Sequence, residues 1–136
     1  MKTFVEIKIR GYHIDQFNHV NNARYLEFLE EGRWGYLEQN NLIKEFHVKG
    51  IGHAVVNINI NYRKSAFLGQ ILRIETDLLR KGRASITIQQ KLFLGHTDTL
   101  IADAEVSNVF LNPETGKAIP VDIEFIKLWP ELGDLP

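Results

Sequence analysis

Residues 4–10 alternate apolar and polar side chains: Val5, Ile7 and Ile9 fall on one face, Glu6, Lys8 and Arg10 on the other. That is the period-two pattern of a half-buried strand. The alternation returns at 55–63, where Val56, Ile58, Ile60 and Tyr62 oppose Asn57, Asn59, Asn61 and Arg63. Asparagine is a poor strand former, so the apolar partners decide the structure there. A third strand is expected over 71–79, with Leu72, Ile74 and Leu78 opposite Arg73, Glu75 and Asp77. A fourth starts near Ala84 and carries Ile86, Ile88, Leu92 and Leu94. A fifth spans 99–111, and the turn residues Asn112-Pro113-Glu114-Thr115-Gly116 separate it from a short extended return through Ile119.

One segment breaks this rhythm. From Asn22 to about Gln39 strong helix formers accumulate, and Tyr25, Phe28, Leu29, Gly32 and Tyr36 recur at helical spacing. Arg24, Glu27, Glu31 and Glu38 form the polar side, and Asn40-Asn41 is the stop. A short helix over 122–129 with Asp122 as its cap is expected near the end of the chain. A parallel pair needs a crossover of a dozen or more residues, which only the long helix offers. The other strands must then form an antiparallel meander or a close variant. One helix against such a sheet is an α+β architecture, here a single domain over 1–136 whose open sheet edges suit dimerisation.

Composition narrows the function. At 136 residues and a formal net charge of -1, the chain has no basic footprint for nucleic acid. It contains no cysteine, which removes disulfides, thiol nucleophiles and Cys-ligated zinc. No apolar run approaches membrane-spanning length, and Glu6 and Lys8 interrupt the first apolar stretch, so no membrane insertion and a cytoplasmic location are expected. None of Ser65, Ser85 and Ser107 lies in a nucleophile elbow. Neither Thr115-Gly116-Lys117 nor Gly50-Ile51-Gly52 completes a phosphate-binding motif.

The chemistry concentrates in Tyr12-His13-Ile14-Asp15-Gln16-Phe17-Asn18-His19-Val20-Asn21-Asn22, between the first strand and the helix. A helix start offers unpaired N–H groups and partial positive charge, both suited to a developing oxyanion. Asp15 beside them fits a general base or a nucleophile. Plainer roles fit the same residues. Asn18 or Asn21 can cap the helix, Asp15 can close an Asx-turn, and His13, Asp15 and His19 can ligate a divalent metal.

Asp15-x-x-x-His19-Val20-Asn21-Asn22-Ala23-x-Tyr25-Leu26-Glu27-Phe28-Leu29-Glu30-Glu31 resembles the helix-entry motif of hotdog-fold acyl-CoA thioesterases of the 4-hydroxybenzoyl-CoA thioesterase-like family. Ile60-Asn61-Tyr62-Arg63-x-x-Ala66-x-x-Gly69-x-Ile71-Leu72 is similar to that family's second motif. The resemblance implies a sheet of five to six antiparallel strands wrapped around one long helix, in a homodimer or homotetramer with active sites at a protomer interface. It also implies cofactor-free, metal-free hydrolysis of acyl-CoA or acyl carrier protein thioesters. Asp15 takes the place of the family's aspartate, with His19 and Asn22 beside it and backbone N–H groups of Asn21 and Asn22 as oxyanion donors. Arg63, Lys64, Ser65, Arg80, Lys81 and Arg83 are the candidates for the CoA moiety. Two positions depart from the pattern: Asn22 stands where some members carry histidine, and Ser65 where a proline is usual. Other hotdog enzymes place a glutamate on the helix, which makes Glu27, Glu30 and Glu31 further candidates; the solvated pairing of Glu27 and Glu31 with Arg24 explains those two more simply. A binding module without turnover and a hotdog dehydratase are the rival readings.

Overall fold

The computed structural model describes residues 1–136. The elements follow the periodicity closely: β1 (Thr3–Lys8), α1 (Asn22–Gln39), α2 (Ile43–Val48), β2 (Gly52–Tyr62), β3 (Ile71–Lys81), β4 (Ile86–Leu94), β5 (Leu100–Leu111) and α3 (Ile123–Leu128). The strands form one antiparallel sheet in the order β1-β3-β4-β5-β2. β3, β4 and β5 are the expected meander; β1 and β2, which flank α1 in sequence, end on opposite edges. This is the five-stranded hotdog arrangement.

Helix α1 packs on one face of the sheet because its apolar stripe must be buried. Tyr25, Phe28, Leu29, Gly32 and Tyr36 are all buried, and Tyr25, Phe28 and Leu29 share a cluster with the sheet residues Leu72, Ile74, Leu92, Ala104 and Val106. The helix sits close to the sheet at Gly32, where an added Cβ would stand 2.7 Å from both Gln90 Nε2 and Ile74 Cγ2. A second apolar cluster forms around Tyr36, Phe46, Phe110, Phe125 and Trp129, joining α2 and α3 to β5. Asp122 caps α3 as expected, its side chain accepting from the Phe125 N–H at 3.1 Å.

Two local features differ from the sequence reading. α2 is absent from it because a six-residue helix is too short to display helical periodicity. Val56, placed there on the apolar face of β2, is 59% exposed. A bulge between Val55 and Asn57 breaks the pairing with β5, and only Ile58 and Ile60 reach the core. No helix is long and apolar enough to cross a membrane.

Candidate active site

The loop entering α1 is held from three directions. Ile14 and Val20 form an isolated bridge, the Val20 N–H donates to the Ala66 carbonyl at 2.9 Å, and the Asn21 N–H donates to the His13 carbonyl at 2.9 Å. Asp15 closes an Asx-turn, its Oδ1 accepting from the Phe17 N–H at 2.8 Å. The other oxygen, Oδ2, stands 3.7 Å from His19 Nδ1. Asn21 caps α1, accepting from the Ala23 N–H at 2.9 Å. The plain roles therefore exist, and they leave the chemistry intact: one Asp15 oxygen shapes the loop and the other faces His19.

These groups line a cavity of about 240 Å³ formed by Asp15, His19, Val20, Asn22, Tyr25, Tyr62, Arg63, Lys64 and Ser65. Six residues singled out from the sequence thus meet in one place: Asp15, His19, Asn22, Arg63, Lys64 and Ser65. Of the two N–H groups expected as oxyanion donors, only that of Asn22 is free within the chain. The Asn21 N–H is already committed to His13, whereas the Asn22 N–H opens the helix with no partner in the chain. Arg63 is fixed by Asp103 at 2.8 Å, and the guanidinium holds the Asp103 carboxyl below the usual carboxylate range.

Arg80, Lys81 and Arg83 do not line this cavity. Arg80 bonds Glu105 at 3.0 Å, and Lys81 donates to the Leu135 carbonyl at the far end of the sheet. His13 is also elsewhere. It is buried against Phe28, its Nδ1 accepts from the Arg10 N–H at 2.9 Å, and burial lowers its pKa. It does not join Asp15 and His19, and no group of three His, Asp or Glu side chains is close enough to hold a metal.

Two tyrosines escaped the sequence reading as site residues. The Tyr62 hydroxyl donates to the Asn22 carbonyl at 3.0 Å, and its ring meets Tyr25 edge to face at 5.3 Å. Both sit at apolar positions of their elements, so periodicity assigns them to the core and hides their polar ends.

A second cavity, of about 310 Å³, lies further along the same helix, lined by Glu30, Arg33, Trp34, Leu37, His53 and Val55. Arg33 is only 7% exposed. Its Nη1 donates to Gln90 Oε1 at 3.2 Å, while its Nε is buried with no partner. Gln90 in turn donates to the Leu29 carbonyl and to Thr76 Oγ1, both at 2.9 Å. The sequence carried one signal for Arg33: it follows Leu29 by four residues and adjoins Gly32 in the buried stripe.

Comparison with known proteins gives a consistent picture. The model of the Thioesterase-like superfamily matches residues 9–129. Long-chain acyl-CoA thioesterase FadM of Escherichia coli (strain K12) is 42% identical over 119 residues, covering 88% of this chain and 90% of FadM. The crystal structure of the YbaW probable thioesterase from Escherichia coli superposes with a TM-score of 0.88 at 39% identity, covering 95% of this chain and 97% of that one. A mutant 4-hydroxybenzoyl-CoA thioesterase complexed with 4-hydroxybenzoyl-CoA shares the fold, with a TM-score of 0.81 at 20% identity over 93% of this chain and 97% of the other.

Proposed function

The chain belongs to the thioesterase-like superfamily and is an acyl-CoA thioesterase, and we propose that Asp15 and the Asn22 N–H together carry out the hydrolysis. The observation that carries this reading is their shared cavity: a carboxylate oxygen free of backbone bonds beside a helix-start donor without a partner. The thioester carbonyl oxygen would accept from the Asn22 N–H, where the helix dipole favours the negative charge of the tetrahedral intermediate. Asp15 Oδ2 then either attacks the carbonyl carbon or takes a proton from an attacking water. On the nucleophilic route CoA leaves as thiolate and water hydrolyses the acyl-aspartyl anhydride. On the base route the intermediate collapses directly to acid and thiol. Single turnover in ¹⁸O water identifies the nucleophilic route when water attacks the anhydride at Asp15 Cγ: the label then enters the Asp15 carboxylate, which the base route never labels.

The Tyr62 hydroxyl fixes the first turn of α1, and His19 orients the Asp15 carboxylate. Arg63, set by Asp103, and Lys64 face the CoA phosphates, with Ser65 lining the same entry. The substrate proposed is a long-chain acyl-CoA, following FadM. A homodimer or a tetramer of such dimers is the proposed assembly, and the cytoplasm the proposed compartment, CoA thioesters being intracellular metabolites. No metal takes part. A panel of acyl-CoAs from short to long, with an aromatic one, read by a thiol reagent, tests the reading. Release of CoA thiol that rises with chain length and survives exhaustive chelation is the expected result. Absence of turnover across the panel, or its restoration only by added zinc or manganese, overturns it.

A further inference from the structure

The loop from Lys64 to Gln70 leads from the Asp15 cavity to β3, and it is pinned at both ends. The Val20 N–H donates to the Ala66 carbonyl at 2.9 Å, which ties this loop to the Asp15 loop. Ile9 holds the other end, donating to the Gln70 carbonyl at 2.8 Å and accepting from the Gly69 N–H at 2.9 Å. Between these anchors the Gln70 N–H donates back to the Phe67 carbonyl at 3.1 Å, closing a turn in which Gly69 takes φ +85°. The Gln70 side chain fastens the same turn, accepting from the Phe67 N–H at 2.9 Å. Turns are ordinarily built from polar residues and glycine. This one presents Phe67 and Leu68, which are 48% and 63% exposed. Phe17, 69% exposed, lies in the turn of the Asp15 loop, its ring 6.2 Å from that of His19. Two bonded loops at the cavity mouth therefore both carry exposed aromatic or aliphatic side chains.

Cations stand around them. Lys8 and Arg10 flank Ile9, Lys64 lines the cavity, and all three are exposed with no carboxylate in ion-pair reach. At this end of the sheet Asp103 is held by Arg63 and Glu6 by His96, which leaves Asp98 and the recessed Asp15. Three free cations thus face two free carboxylates, on a chain whose formal net charge is -1.

We propose that this end of the molecule docks on an anionic lipid surface, with Phe17, Phe67 and Leu68 entering the interface and Lys8, Arg10 and Lys64 meeting the headgroups. Apolar burial and attraction to anionic lipid together give peripheral binding. The pinned turn presents its side chains already ordered, so little entropy is lost on contact. Docking in this orientation turns the mouth of the Asp15 cavity toward the bilayer. The purpose rests on the thioesterase reading: a long acyl chain keeps its thioester at a lipid surface, and a docked enzyme takes it from there without release into water. The contact itself is measured without turnover.

Cosedimentation of the full chain with extruded vesicles tests it. The protein should pellet with vesicles of phosphatidylglycerol and phosphatidylcholine in equal parts, pellet far less with phosphatidylcholine alone, and be released by rising salt. Phe67→Ser with Leu68→Ser should weaken the anionic binding about tenfold, and Lys8→Glu about fivefold or more. Both variants should melt like the parent and hydrolyse a short, water-soluble acyl-CoA at its rate. Hydrolysis of a long-chain acyl-CoA carried in anionic vesicles should fall with the binding. If the double variant does not fold, Leu68→Ser alone takes its place. A parent that stays in the supernatant with anionic vesicles, or a folded double variant that binds them as well as the parent, overturns the proposal whatever the enzyme hydrolyses. So does a double variant whose only change is a smaller mass by light scattering, which makes the turn a contact between copies. Binding of an acidic carrier protein in place of vesicles overturns it equally.

Discussion

Helix α1 borders two cavities that share an element and little else. At its N-terminal end, Asp15, His19, Asn21 and Asn22 come from one short segment, and their positions are set by local bonds: an Asx-turn, a cap, a bridge. Midway along, Arg33 meets Gln90, 57 positions later, in a buried layer beneath the helix. The first arrangement tolerates water and keeps reactive atoms accessible. The second commits a charge to the interior, where its remaining donor needs an acceptor. The lesson is that the polar groups of this fold do two jobs. Those on the loop stay accessible, whereas those under the helix tie it to the sheet through Gln90.

The largest expected effect breaks the first cavity alone. Asp15→Asn keeps the acceptor for the Phe17 N–H, so the fold and melting temperature should hold while kcat falls by about 10²–10⁴-fold or more. A variant that melts normally and hydrolyses at near the parental rate would leave Asp15 as a turn residue. Gln90→Leu breaks the second. It strips partners from Arg33, Thr76 and the Leu29 carbonyl, and each stranded group costs about 1–3 kcal/mol. Denaturant unfolding should show a loss of that order or larger, with kcat less affected than in Asp15→Asn. Equal damage to both readouts would mean the two cavities are not separable.

Asn21→Ala sharpens the comparison from the helix start. Loss of the cap should cost about 1 kcal/mol of stability and lower kcat modestly by loosening the Asn22 N–H. The smallest effect concerns His13. Its folded pKa is depressed below the ordinary 6.5, so between the two values the unfolded chain binds the extra proton. Its contribution to stability is therefore present above about pH 6.5 and lost as pH falls through the folded value. Chemical denaturation between pH 7.5 and 5 should show this decline, and His13→Gln should reduce its slope.

Much of this protein was legible in one dimension. Period-two runs marked all five strands, helical spacing marked α1 from Asn22 to about Gln39, and Asp122 announced α3. Asp15, His19, Asn22, Arg63, Lys64 and Ser65 were legible because they lie close in sequence or follow β2 directly. What escaped shares a physical cause. The use of the Asn21 N–H by His13 is a backbone bond that no side-chain pattern reports. The bulge that exposes Val56 interrupts an alternation that looks unbroken on paper. The hydroxyls of Tyr25 and Tyr62 hide at apolar positions.

The sequence by itself determined the elements and the buried face of α1, because local periodicity encodes them. Tertiary structure alone decided which strands became edges, that Arg80 and Lys81 lie far from Asp15 within one chain, and that Arg33 is buried against Gln90. Those outcomes depend on pairings between segments distant in sequence, where an interaction exists only after the chain has paid the entropy of closing long loops.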